Sequence, residues 1–137
     1  MSRRAVHDVG PAVLHPRLAD LLRRLQHAER TATGEQRRPT FRLMRDVLGA
    51  AIAAGVPVRL LADCLGTTPG SVRNRAGRHD AVVSPTLVAE LTGLTPARLD
   101  RLSGGRLAQA RSEAAAGYPT GALVQALLAT PAVIGRR

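Results

Sequence analysis

A chain of 137 residues in which 45% are hydrophobic can bury one helical core, which must be aliphatic because Phe41 and Tyr118 are the only aromatic residues. The scarcity of aromatic residues argues against proteins that stack single-stranded bases, and one cysteine with four scattered histidines argues against a disulfide or a zinc site. The formal net charge of +10, carried entirely by arginine, attracts polyanions, and no apolar run is long enough to span a membrane. We expect a cytoplasmic protein with no metal and no cofactor.

The first predicted elements are a flexible arm over residues 1–13 and an amphipathic helix over residues 14–32. The helix carries an apolar stripe at helical spacing, formed by Leu14, Leu18, Leu21, Leu22 and Leu25. Such a stripe packs either on the rest of the chain or on a second copy, so a homodimer through these leucines is one of two open interpretations. The polar residues 33–39 are predicted to form a linker in which Arg37 and Arg38 are solvated.

Residues 40–78 are predicted to form a first unit of three short helices. Thr40 is placed as the N-cap of a helix that continues to about residue 54, and a second helix follows up to residue 65. Gly66 then provides a turn, and Thr68 caps a third helix that has Pro69 at its first position. The layout is two helices joined by a tight turn, preceded by a longer helix.

The same layout recurs in a second unit, residues 79–104, and less completely in a third unit, residues 105–137. A shift of 27 residues aligns the Gly66 turn and the Thr68–Pro69 helix start with Gly93 and Thr95–Pro96, and a Thr-Pro pair stands again at 130–131. The third unit is predicted to have helices over about 106–116, 120–128 and 131–137. The sequence therefore predicts an all-α, compact helical bundle built from two to three helix-turn-helix units plus the N-terminal amphipathic helix.

Residues 61–75 resemble the helix-turn-helix of the homeodomain-like and sigma-factor region-four-like superfamily. Ala62, Gly66 and Val72 match the small crossing residue, the turn glycine and the apolar anchor of that motif. Thr67 and Arg75 depart from it, because apolar residues are usual at both positions. The second unit matches more fully, through Ala89, Gly93, Leu94, Leu99 and Leu102, whereas the third lacks the turn glycine.

The resemblance implies that the second helix of the first unit enters the major groove of double-stranded DNA. Its exposed positions are then Thr68, Gly70, Ser71, Arg73, Asn74, Arg75 and Arg78. Arginine suits guanine and asparagine suits adenine, while Thr68 at the helix N-terminus suits a phosphate. Further basic contacts are predicted at Arg37, Arg38, Arg136 and Arg137.

Two other function classes stay open beside a small DNA-binding regulator of transcription. One is a helical adaptor or assembly protein whose helix-turn-helix units bind a protein partner, and the other is a nucleic-acid binder without sequence preference. The sequence contains no phosphate-binding glycine loop after a strand, no suitably spaced carboxylate pair and no recognisable nucleophile elbow. We therefore expect no enzymatic activity.

Overall fold

The computed structural model of the protein describes residues 13–77, 82–107 and 117–129, and within these ranges it confirms the predicted all-α bundle. The helices are α1 (Pro16–Thr31), a 3-10 helix (Gly34–Gln36), α2 (Arg37–Ala53), α3 (Val58–Leu65), α4 (Pro69–Arg75), α5 (Pro85–Thr92), α6 (Pro96–Leu102) and α7 (Thr120–Ala129). One small antiparallel sheet pairs β1 (Val82–Val83) with β2 (Tyr118–Pro119). The predicted arm up to residue 12, most of the predicted helix 106–116 and the segment 131–137 lie outside the described residues.

The starts of the three short helices α4, α5 and α6 confirm the predicted capping chemistry. The hydroxyls of Thr68, Ser84 and Thr95 accept hydrogen bonds from the backbone N–H three residues later, at 3.1, 3.4 and 3.2 Å. Proline follows each cap, where the missing N–H leaves no donor unsatisfied. The preceding helices α3 and α5 end at Gly66 and Gly93, whose φ angles of 69° and 76° are favourable only for glycine.

The N-terminal helix α1 lies at the centre of the bundle, where it packs against α2, α3, α5 and α7. Its leucine stripe is almost fully buried within the chain, with exposed fractions of 0 or 1% at Leu18, Leu21, Leu22 and Leu25. Leu14 is half-buried and lies before the helix begins. The interpretation of this stripe as a homodimer surface is therefore wrong, because these four leucines are buried in the chain's own core.

The predicted linker over residues 33–39 is also wrong, because this segment is helical for most of its length. The 3-10 helix leads directly into α2, which begins at Arg37 rather than at the predicted cap Thr40. Pro39 lies in the first turn of α2, where backbone N–H groups have no intrahelical acceptor and a proline is tolerated. Thr40 is buried inside the helix instead of capping it.

One continuous core joins the seven α-helices α1 to α7 of the described chain. Its buried residues extend from Leu18 on α1 to Leu127 on α7 and include Val72 on α4 and Leu99 on α6. The pairing of β1 with β2 brings Gly117 so close to Val83 that a side chain at Gly117 would overlap the Val83 carbonyl. Two-residue strands carry no alternating pattern, so the sequence did not predict this sheet. Among the described helices, none combines the length and the apolar character that crossing a bilayer requires.

Candidate nucleic-acid interface

We call α3 and α4 the first helix pair, and α5 and α6 the second helix pair. In the first helix pair, Val72 is 1% exposed and anchors α4 in the core. Gly70, Arg73 and Asn74 are exposed, and their helical spacing from Val72 places them on the opposite side of α4. The face of α4 that was predicted to contact DNA is therefore free of contacts with the core.

Two further predicted positions lie at the start of α4, the N-cap Thr68 and Ser71 in the first turn; both are exposed but already take part in the helix cap. The Thr68 hydroxyl accepts the Ser71 N–H at 3.1 Å, so this donor is not free for a phosphate. The helix itself has only seven residues, and at 1.5 Å per residue it is about 10 Å long. Thr68 thus occupies two N–H groups at this end of the helix, that of Ser71 through its hydroxyl and that of Val72 through its carbonyl.

Arg75 differs from its predicted role as an exposed contact. Its guanidinium donates two hydrogen bonds to the carboxylate of Glu29, at 3.3 Å from Nη1 and 2.5 Å from Nη2, and it lies 5.6 Å from the centre of the Phe41 ring. The Glu29 side chain is only 10% exposed whereas that of Arg75 is 39% exposed, so this two-bond ion pair is shielded from water on the carboxylate side only. Arg75 stands where the motif that this segment resembles has an apolar residue. The Glu29 carboxylate on α1 neutralises its charge.

Helix α1 also holds the other member of the first helix pair. Gln26 lies one turn before Glu29 on α1, and its side-chain amide donates to the carbonyl of Leu65 at 2.8 Å. That carbonyl belongs to the last turn of α3, where backbone acceptors lack intrahelical donors. Two polar side chains of α1 thus fix both helices of the pair against the same support.

A row of basic side chains on α2 extends the charged surface beyond α4. Arg38, Arg42 and Arg45 are exposed and follow one another at the spacing of one helix face. They line a cleft of about 480 Å³ between α2 and the end of α4, the α2–α4 cleft, formed by Arg38, Phe41, Arg42, Arg45, Asn74 and Arg75. None of these lining residues is acidic, so the cleft is a local concentration of positive charge.

The sequence-based prediction placed Arg42 and Arg45 in a helix but did not connect them with Arg38, which it placed in the linker that precedes that helix. Once α2 begins at Arg37, the spacing of Arg38, Arg42 and Arg45 along one helix face becomes a readable signal. Arg37 remains exposed, with its guanidinium 5.8 Å from the centre of the Phe41 ring. The predicted contacts Arg78, Arg136 and Arg137 lie outside the described residues.

The end of α4 is attached to α2 at a close backbone contact. The N–H of Gly77 donates to the carbonyl of Arg45 at 2.9 Å. A side chain added at Gly49 would overlap the Gly77 carbonyl oxygen and would lie 2.9 Å from its carbon. Two glycines thus allow the chain after α4 to lie directly on α2, which fixes the width of the α2–α4 cleft.

The thiol of Cys64 lies on α3 and belongs to the support rather than to the exposed face. Burial raises the pKa of Cys64 above its ordinary value, an effect that the nearby charge of Arg23 partly offsets. The thiol therefore stays protonated at neutral pH and is a poor nucleophile. Within the described ranges, no group of three or more histidine, cysteine or acidic side chains is placed to hold a metal ion.

Comparison of the chain with protein-family models, with curated proteins and with solved structures finds no match. The geometry of the first helix pair and of the basic residues around it is therefore the basis on which a function can be inferred. That geometry combines a polar face on a short, firmly anchored helix with a neighbouring row of arginines. Both features suit a polyanion with a groove.

Proposed function

We propose that this protein binds double-stranded DNA and regulates transcription, with α4 inserted into the major groove. The observation that supports the proposal most strongly is the exposed face of α4 formed by Gly70, Arg73 and Asn74, directly beside the arginine row of α2. An α-helix fits the major groove, where base edges present distinguishable donors and acceptors. The adjacent arginines supply the phosphate contacts that position such a helix.

The exposed residues of α4 differ in the base or contact that each can recognise. Arg73 can donate two hydrogen bonds to guanine O6 and N7, and Asn74 can pair with adenine N6 and N7. Gly70 has open space where a side chain would stand, so the backbone of α4 can approach the base edges closely. We therefore assign base readout to Arg73 and Asn74, and we assign Arg75 to holding α4 in place.

The second helix pair is a weaker candidate for this contact. Arg98 and Arg101 are exposed on α6, but Asp100 lies between them and would repel phosphate. Residues 80–104 carry three acids against two arginines, whereas residues 40–79 carry six arginines against two acids. We propose that the second helix pair belongs to the structural body of the protein.

The test compares Arg73→Ala and Asn74→Ala with Arg98→Ala, which removes the same charge as Arg73→Ala from the second helix pair. Affinity is measured by fluorescence anisotropy at physiological salt, on duplexes that differ at single base pairs of the preferred site. We expect each α4 variant to relax preference at one base pair, because a lost bidentate contact costs about 1–3 kcal/mol of discrimination. The Arg98 variant should keep the wild-type preference.

The same titrations separate the other function classes. Equal losses on every duplex for both α4 variants would contradict base readout and indicate a binder without sequence preference. No binding of duplex at physiological salt would contradict DNA binding itself and favour the adaptor function, in which the basic surface meets an acidic protein. A sequence reader should bind its site about 1,000-fold or more tightly than random DNA.

A further inference from the structure

Two of the four arginines that line the α2–α4 cleft form no ion pair with the described residues. Arg75 is paired with Glu29, and Arg45 has the carboxylate of Asp46 at 3.6 Å. For Arg38 and Arg42, no carboxylate of the described residues lies within ion-pair distance. Two exposed guanidinium groups one helical turn apart repel each other, so their juxtaposition is stabilised most by an anion between them.

The dimensions of the arginine row suit a phosphate chain better than a single small anion. Arg38 and Arg45 are seven residues apart on α2, which corresponds to about 10 Å along the helix axis. Phosphates of one DNA strand repeat every 3.4 Å or so along the duplex axis, so a row of this length reaches more than one of them. Asn74 stands at the same cleft on α4, and this links the row to the face assigned to base readout.

Phe41 adds an apolar surface to the charged cleft. Its side chain is 43% exposed, an unusual position for one of the two aromatic residues of the chain, and the guanidinium groups of Arg37 and Arg75 lie within 6 Å of its ring centre. A ring beside the arginines excludes water from one side of the cleft and strengthens their attraction to an anion. The carbon face of a deoxyribose is the part of a DNA backbone that packs on such a ring.

We propose that the α2–α4 cleft binds the sugar–phosphate backbone of duplex DNA next to the groove that α4 enters. Arg38 and Arg42 contact phosphates, and Phe41 packs against the sugar between them. This inference rests on the proposed function, since it names the backbone site that accompanies base readout by α4. If the cleft binds the DNA backbone, its contribution to DNA affinity is independent of the base sequence and strongly dependent on the salt concentration.

The test compares the double variant Arg38→Gln/Arg42→Gln with the control Arg98→Gln/Arg101→Gln, which removes the same two charges from exposed positions on α6. Binding to a random-sequence 20-base-pair duplex is titrated between 50 and 200 mM salt, and thermal unfolding establishes that both variants are folded. We expect the slope of log K against log salt to fall by about 2 for the cleft variant, because each phosphate contact contributes about 0.9. The control should lower the slope by less than half as much, and equal falls would overturn the proposal.

A second variant tests the aromatic part of the proposal. Phe41→Leu keeps an apolar side chain but removes the flat ring, so we expect affinity for all duplexes to fall several-fold with the salt slope unchanged. Wild-type affinity in this variant would overturn the assignment of Phe41 to the backbone. Because the leucine retains apolar volume on α2, thermal unfolding should detect little change.

The outcomes distinguish failure of this proposal from failure of the proposed function. If Arg73→Ala changes base preference while the cleft variant keeps the wild-type slope, DNA binding stands and the cleft proposal is overturned. NMR signals of the Arg38 and Arg42 guanidinium groups supply a direct readout, with the duplex and inorganic tripolyphosphate as separate probes. Shifts with tripolyphosphate but none with the duplex would overturn the DNA site in favour of a free polyphosphate, whereas shifts with the duplex support it.

Discussion

The two helix pairs share a backbone design but differ in whether the residue directly after the turn glycine is buried. Each pair has a glycine of left-handed conformation at the turn, followed two residues later by a capping threonine and a proline. After the turn glycine, the first pair has Thr67, which is exposed, and the second has Leu94, which is 6% exposed. The second pair is therefore closed by an apolar contact that the first pair lacks.

A groove of about 230 Å³ lies where the first helix pair meets α1 and α2. Its lining is Gln26, Met44, Leu48, Leu65, Thr67, Ser71, Val72 and Arg75. Polar contacts hold the pair instead, through Gln26 on the end of α3 and Glu29 on Arg75. One backbone design thus accommodates either a buried apolar residue after the turn, as at Leu94, or an exposed one, as at Thr67, where polar side chains of α1 hold the pair.

The largest effect is expected where the first helix pair rests on α2. Gly49→Ala places a methyl group against the Gly77 carbonyl, which is backbone and cannot rotate away, so we expect a loss of about 3 kcal/mol in unfolding free energy. Urea unfolding measures this loss. Gly70→Ala is the matched control, because its added carbon meets open space in an exposed helix, and it should stabilise by about 0.5 kcal/mol. Equal effects of the two substitutions would contradict the close approach.

The role of the buried Leu94 in the second helix pair can be tested by replacing it with threonine, the residue that follows the turn glycine in the first pair. Leu94→Thr removes apolar volume from the core and places a hydroxyl there, so we expect a loss of about 2 kcal/mol in unfolding free energy. Calorimetry or urea unfolding measures it. DNA affinity measured well below the unfolding transition should stay unchanged, and a change of base preference would contradict the structural role of this pair.

Local signals in the sequence predicted the short helices well, whereas contacts between distant segments escaped it. The caps at Thr68, Ser84 and Thr95 depend on neighbours three residues away, so the sequence alone sufficed to place them. The ion pair of Arg75 with Glu29 joins residues 46 positions apart, and no periodic pattern indicates such a pair. For this reason the sequence predicted Arg75 as an exposed contact, whereas its guanidinium is paired with Glu29.

The leucine stripe of α1 shows a second limit of sequence reasoning. An amphipathic pattern predicts that one face of a helix is buried, but it does not indicate whether that face packs against the same chain or against a second copy. In the structure this face packs against the same chain, because four other helices surround α1. The arginine row of α2 was not recognised for a local reason, since Arg38 was predicted to lie in a linker, whereas α2 begins at Arg37 and holds Pro39 in its tolerant first turn.

A smaller effect is expected for the ion pair that holds α4. Glu29→Gln leaves the half-exposed Arg75 without a charged partner, and we expect a loss of about 1–2 kcal/mol, because the pair is shielded on the Glu29 side and open on the other. Asp20→Asn is the control, since its pair with Arg24 is half-exposed on both sides and contributes less than about 0.5 kcal/mol. Similar losses in chemical unfolding of the two variants would contradict the special place of the Glu29 pair.

The smallest effect is a gain in stability within the first helix pair. Thr67→Leu introduces the apolar residue of the second pair next to the groove lined by Leu48, Leu65 and Val72, and we expect about 0.5–1 kcal/mol of stabilisation. The midpoint of urea unfolding should rise accordingly. An unchanged or lower midpoint would contradict the view that the groove is a missing apolar contact.

The most direct test of the central claim is selection of binding sites from a random duplex library at physiological salt, with wild-type protein and an Arg73→Ala/Asn74→Ala variant in parallel. Our account predicts an enriched motif for the wild type, with guanine and adenine positions that lose their preference in the variant. A two-fold symmetric motif would additionally give the half-site spacing of a dimer. Recovery of no motif by the wild type, or of the same motif by both proteins, would contradict recognition of DNA by the first helix pair.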